Sequence, residues 1–260
     1  MTDAVVKGLA WLGDLAPGVR VAITRRRGGV SRAPHDPLNL SYSIGDDPAA
    51  VARNWRLVAR ECEIDLSKLV WMRQVHGRDA RYVRAGDAAA QADAVYTDVP
   101  GVVLAVLAAD CAPVLLADPA CGVVGAAHSG RAGTEAGVVP ALLRAMSDLG
   151  ARPERMHALV GPAICGGCYE VPAALQATVA AAVPQARCVT ADGTPGLDIR
   201  AAIAAQLAAC GVGSVQHDMR CTGETDELSS HRRDGRAGRF AALVWRRPCG
   251  EMCGEMMAND

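Results

Sequence analysis

From Val102 to Ala127 the chain is almost wholly apolar, and this stretch limits what it can fold into. Asp110, Pro113, Asp118 and Pro119 divide it. A membrane-spanning helix needs about 20 consecutive apolar residues, and a proline inside a helix removes a hydrogen bond and clashes with the preceding turn. The segment therefore reads as a group of short buried strands, "GVVLAVLA", "PVLLAD" and "GVVGAAH". Hydrophobic residues are 50% of the 260, enough for a substantial core, but aromatics are only 3%, so Ala, Val and Leu must fill it.

The same reasoning extends along the chain. "VRVAITRRRGGVS" reads as a strand running into a Gly-Gly turn, followed by a loop rich in Pro, Ser, Asn and Asp. Asp46 or Asp47 caps a helix from Pro48 to Cys62. Further strands are predicted from Leu69 to Met72 and in "ADAVYTD", "MHALVG", "SVQHD" and "FAALVW". Helical spacing covers Gly133 to Leu149, with Gly150 as its stop, then Val171 to Val183 and Ile199 to Cys210. Strands and helices mix without a strict βαβ rhythm, so the class is α/β of a mixed, α+β kind. No repeat or low-complexity linker divides the chain. Residues 1–260 read as a single domain with a frayed tail from 247.

A formal net charge of −1 argues against broad electrostatic binding of nucleic acid or acidic membranes. The first residues, "MTDAVVKGLAWLGDLAPGVRV", carry Asp3 and Asp14 and do not resemble a secretory signal. The ten cysteines of so long a chain are then read as free thiols rather than a disulfide framework, which points to a cytoplasmic protein.

Cys111 and His128 flank the turn "DPACG". If that turn centres near Pro119 and Ala120, an antiparallel hairpin brings both residues to the same end of a sheet. A thiol beside an imidazole can be a nucleophile with its base, a pair of metal ligands, or a small buried Cys near a hydrogen-bonded His. His76, in the loop "RQVHG", adds a third candidate. His76, Cys111 and His128 together would make three ligands with an open fourth position, the arrangement of a catalytic zinc site, where bound water has a pKa of about 7.

The stretches "TRRRGGVS", "PLNL" and "GDD", "QVHG", "ADAVYTDVPGVVLAVLAADCAPVLLAD", "GVVGAAHSGRAGT", "GPAICGGCYEV" and "CTGETDELSSHRRDGRAGR" follow one another from about Val21 to Val244. In these motifs the chain resembles the YfiH family, also called the multicopper polyphenol oxidase or laccase-domain family. The resemblance implies a YfiH-like, cysteine hydrolase-like fold of layered sheets with flanking helices. It implies a metal site of His76, Cys111 and His128 holding zinc, or copper in the oxidase description. The implied reactions are phosphorolysis of purine nucleosides, including S-methyl-5′-thioadenosine, and deamination of adenosine. Polyphenol oxidation and peptidoglycan editing, the removal of a wrong amino acid from a cell-wall precursor, are the alternatives. The chain departs from the family where Arg131 and Ala132 replace a Trp-Arg pair, and where His231 replaces a Tyr before Arg232 and Arg233.

Other residues are candidates for small-molecule binding. Arg26, in the run Arg25–Arg27, could hold phosphate with an Arg fork. Arg131 could do so in place of the family's Arg. Asn39 and Gln74 could hydrogen-bond a base or ribose, or tie down their own loops. Asp110 could orient a histidine ligand or serve as general acid or base. Cys165 and Cys168 form a single CxxC, a weak signal for redox or zinc chemistry. Six histidines with no His-x-His pair speak against four-copper laccase chemistry.

Overall fold

A computed structural model describes residues 10–248. In chain order its elements are β1 (Ala10–Ala16), β2 (Val19–Thr24), α1 (Pro48–Cys62), β3 (Leu69–Trp71), β4 (Ala80–Tyr82), β5 (Ala94–Thr97), β6 (Val103–Ala108), β7 (Ala112–Asp118), β8 (Val123–Ser129), α2 (Arg131–Ala136), α3 (Val138–Ser147), β9 (His157–Val160), α4 (Ala173–Ala182), β10 (Arg187–Val189), β11 (Pro195–Leu197), α5 (Ile199–Ala209), β12 (Ser214–His217), α6 (His231–Asp234) and β13 (Phe240–Arg246). Of the tail expected to fray, residues 249–260 lie outside the described residues. Among the described residues no helix is long and apolar enough to cross a membrane.

The strands build a five-stranded sheet, β1-β2-β13-β6-β3, and a six-stranded sheet, β12-β9-β7-β8-β5-β4, with β10-β11 as a separate ribbon. Side chains alternate across each strand. Val114 and Leu116 of β7 pack with α3 and α5, whereas Leu115 and Ala117 face the other sheet. In β13, Ala242 and Val244 face that shared interior, and Ala241, Leu243 and Trp245 face α1. The order of layers is α1, five-stranded sheet, six-stranded sheet, then α3, α4 and α5. Strands covered on both faces must be apolar throughout, which accounts for the run from Val102 to Ala127.

Helix α1 starts where Asp47 accepts from the Ala49 amide at 2.9 Å, and it buries the stripe Val51, Trp55, Val58, Ala59 and Cys62. The helix expected from Gly133 to Leu149 is two helices. Gly137, at φ 81°, ends α2 and starts α3, a left-handed conformation that glycine adopts without the Cβ clash. Strand β1 carried no expectation in the sequence. The β7–β8 hairpin turns through Pro119–Gly122 and places Pro113, not Cys111, opposite His128. This is an offset of two residues from the expected pairing, which preserves the alternation of faces.

Candidate metal centre and active-site cavity

Cys111 directly precedes β7, and His128 is the penultimate residue of β8. His76 comes from the loop after β3. The ligating atoms of the three residues lie within 4.8 Å of one another. Cys111 Sγ is 4.0 Å from His76 Nε2, and the two imidazole rings meet edge to face at 4.8 Å.

One carboxylate organises this meeting. Asp93, fully buried just before β5, accepts from the backbone N–H groups of Val75 (3.1 Å), His76 (2.9 Å) and Gly77 (2.7 Å). Its Oδ1 also lies 2.9 Å from His128 Nδ1. These bonds hold His76 at φ 61°, a conformation unfavourable for a residue with a Cβ. They also commit Nδ1 of His128, leaving Nε2 for a metal. Burial opposes the charge on Asp93, but its bonds with His128, Gly77 and Val75 outweigh that and hold the carboxyl below the usual range.

The thiol and the buried imidazole shift each other. Burial pushes the Cys111 thiol up, yet hydrogen bonds and charge from His128 and His76 bring it down to about 6. Burial pushes His128 down, yet Asp93 and Cys111 raise it to about 9. The imidazole thus eases ionisation of the Cys111 thiol. Gly130 fits close against it, since a Cβ there would lie 2.6 Å from Cys111 Sγ and 3.3 Å from His76 Cδ2. One thiolate and two imidazoles with an open position suit zinc, so the residues present fit that metal.

The cluster borders a cavity of about 750 Å3. Tyr42, Trp71, Ile164 and Tyr169 give it apolar surface, and Arg131, Arg232 and Arg239 give it positive charge. Trp71 stacks on Trp55 with centroids 6.1 Å apart, and Tyr42 tilts against it at 5.8 Å. Burial and the neighbouring Cys111 push the Tyr169 phenol up, so it keeps its proton.

The other residues singled out in the sequence divide into two groups. Asp110, Gln74 and Arg131 border the cavity, whereas Arg26 and Asn39 do not. Arg26 pairs with Asp36 at 2.7 Å and Asp234 at 3.2 Å. Asn39 is buried and donates to Ser41 O and Asp46, while accepting from the amides of Ser41 and Arg239. An arginine run resembles an anion site until its carboxylate partners, distant in sequence, are seen. Gln74 exchanges bonds of 2.8 and 2.9 Å with the Leu107 backbone. Arg131 also pairs with Glu135 at 3.3 Å. Asp110, at φ 93°, accepts from Thr222 Oγ1 (2.6 Å), Ser230 Oγ (2.7 Å) and Arg232 N (2.7 Å). The histidine-orienting carboxylate is Asp93 instead. Asp93 and Arg239 lie within the quoted motifs but were assigned no role there, and Asp93 lies 17 residues from His76 and 35 from His128.

Residues 20–247 match the family model described as multi-copper polyphenol oxidoreductase laccase. A purine nucleoside phosphorylase of Streptomyces coelicolor is 49% identical over 89% of this chain and 97% of its own length. One of Streptomyces griseus is 52% identical over 86% and 93%. Among solved structures, YlmD of Geobacillus stearothermophilus aligns with TM-score 0.85 at 32% identity, over 91% of this chain and 94% of that one. YfiH of Bacillus licheniformis aligns with TM-score 0.81 at 28% identity, over 88% and 93%. The fold, the motif order and these matches agree: the chain belongs to the laccase-like multi-copper polyphenol oxidoreductase family, the family of YfiH.

Proposed function

We propose that the protein is a zinc-dependent purine nucleoside phosphorylase that also cleaves S-methyl-5′-thioadenosine and deaminates adenosine, as one domain acting on small molecules in the cytoplasm. The observation that carries this reading is that one cavity joins the His76–Cys111–His128 cluster to Arg131, Arg232 and Arg239 and to an aromatic wall. The relatives named purine nucleoside phosphorylase support it.

In phosphorolysis a phosphate oxygen bonds to ribose C1′ while the bond to purine N9 breaks, and the departing base takes up a proton. Arg131, Arg232 and Arg239 would hold the phosphate, a task suited to guanidinium forks. Trp71 and Tyr42 would stack on the purine, and Tyr169 would donate its O–H to the base. Asp110 acts through its neighbours, fixing the Arg232 amide and Thr222 rather than giving a proton. Zinc held by His76, Cys111 and His128 would supply Lewis-acid polarisation at its open position. Asp93 keeps His128 in the tautomer that this requires.

The test is incubation of the pure protein with adenosine, with and without phosphate, and chromatography of the products. Phosphate-dependent adenine and ribose 1-phosphate, plus inosine from deamination, are expected. Arg232→Ala should raise the KM for phosphate about tenfold, the value of one charge-assisted hydrogen bond. No base released under any phosphate concentration would sink the proposal.

A cysteine hydrolase, as in peptidoglycan editing, has its own supporting observation. Cys111, His128 and Asp93 line up as nucleophile, base and orienting carboxylate. Iodoacetamide discriminates: zinc protects Cys111 if it is a ligand, whereas hydrolysis without metal that alkylation abolishes would favour the nucleophile.

A further inference from the structure

A second cluster lies outside the catalytic set. Cys165, Cys168, Cys221 and Glu224 place one ligand atom each within 4.8 Å of one another. Two tight turns present them. In the first, the amides of Cys168 and Tyr169 both bond to Cys165 O at 3.0 Å, which turns Cys165 and Cys168 toward the same side. In the second, the amides of Glu224 and Thr225 bond to Cys221 O at 3.2 and 2.8 Å. Each turn thus offers ligands at positions i and i+3. The turns are clasped by a parallel bridge between Ala163 and Cys221. The Cys165 amide donates to Cys221 Sγ at 3.3 Å, and Glu224 Oε1 lies 3.4 Å from Cys168 Sγ and 4.0 Å from Cys165 Sγ.

We infer that Cys165, Cys168, Cys221 and Glu224 form a second metal site, structural rather than catalytic, that takes zinc. Three thiolates and a carboxylate are hard to explain as packing and are a complete tetrahedral set, which is how structural zinc sites differ from three-ligand catalytic ones. At zinc–sulfur bonds of about 2.3 Å, tetrahedral ligands stand about 3.8 Å apart, so small side-chain rotations close the observed cluster. As each zinc–sulfur bond forms, that thiol releases its proton to solvent. A disulfide would use only two of the thiols and leave the third beside Glu224 without a role. The guanidinium of Arg233, paired with Asp234 at 2.7 Å, braces the second turn through the Thr222 and Thr225 carbonyls.

The site has a use in this fold. The first turn leads into Tyr169, which lines the cavity, and the second carries Thr222, which holds Asp110 beside Cys111. Zinc would staple together two loops that border the catalytic centre. This inference does not depend on the nucleoside reading, because its readout is metal content.

The experiment is elemental analysis and zinc X-ray absorption on full-length protein, purified under reductant, stripped, and reloaded with zinc chloride. We expect two zinc per chain with about two sulfurs per zinc on average, and one zinc with about three sulfurs in Cys111→Ala. Cys168→Ser should lose one zinc and keep the other, while Cys249→Ser with Cys253→Ser should keep both. One zinc per wild-type chain with a single sulfur ligand overturns the inference. So does a second zinc that only the tail variant loses, or a chain two daltons lighter under reductant-free mass spectrometry that takes up no second zinc. If a variant fails to fold, the wild-type sulfur count still decides, because the tail has only two cysteines to offer a second zinc.

Discussion

The cluster of His76, Cys111 and His128 and the cluster of Cys165, Cys168, Cys221 and Glu224 put the same thiol chemistry in opposite electrostatic settings. At the first, two imidazoles and the Asp93 carboxylate behind them make the Cys111 thiolate favourable, and the thiol falls to about 6. At the second the nearest groups to each thiol are other thiols and Glu224. Burial, Cys165 and Glu224 push the Cys168 thiol far up, and burial and Cys165 push Cys221 up. The first cluster opens on the cavity with three ligands, and the second offers four. The surroundings of these cysteines, more than their presence, separate a three-ligand cluster open to the cavity from a four-ligand one.

The strongest way to break this contrast is Cys111→Ala. Turnover should fall on the order of 1000-fold, because several kcal/mol of charge stabilisation leave with the metal. Initial rates with the reloaded variant measure it, and an active variant would place the chemistry elsewhere. Asp93→Asn should come next, weakening zinc at the first cluster about 10- to 100-fold, as losses behind a metal ligand do. Competition with a chelator reads this, and affinity at the second cluster should not move.

The thiols themselves sharpen the contrast. In stripped protein at pH 7, iodoacetamide should label Cys111 at least about tenfold faster than Cys168 or Cys221, since the thiolate is the reactive form. With a pKa of about 6, Cys111 labelling should slow as the pH falls through that value. Peptide mapping that finds Cys168 first would invert the comparison. The smallest expected effect is a pair of glycine substitutions. Gly130→Ala drives a methyl to 2.6 Å from Cys111 Sγ and should weaken zinc at the first cluster, whereas Gly223→Ala meets only 3.6 Å contacts. The second substitution should alter stability by less than about 0.5 kcal/mol in a denaturant titration.

Much of the fold was legible because strand and helix patterns are local. The two-residue alternation of β7 and β13, the cap at Asp47 and the stripe along α1 all show in short windows of sequence. Gly137 was not read as a break because the apolar spacing continues across it, and only the φ of 81° shows the chain restarting there. At the candidate site, His76, Cys111 and His128 were visible as residue types beside turns. Asp93 was not, since its bonds reach 17 and 35 residues along the chain. Arg26 stood out as part of a charge run, while its partner Asp234 lies on the far side of the sequence.

The sequence by itself determined the class of the fold, the buried strands and the residues able to bind a metal, because side-chain period and turn chemistry depend on near neighbours. Only the tertiary structure decided which residues meet. It brought Asp93 behind His128, turned Arg232 and Arg239 rather than Arg26 to the cavity, and closed Glu224 onto Cys168 across a sequence separation of 56. Sheet register and loop closure make such contacts, and both are set by the packing of the whole domain rather than by any local pattern.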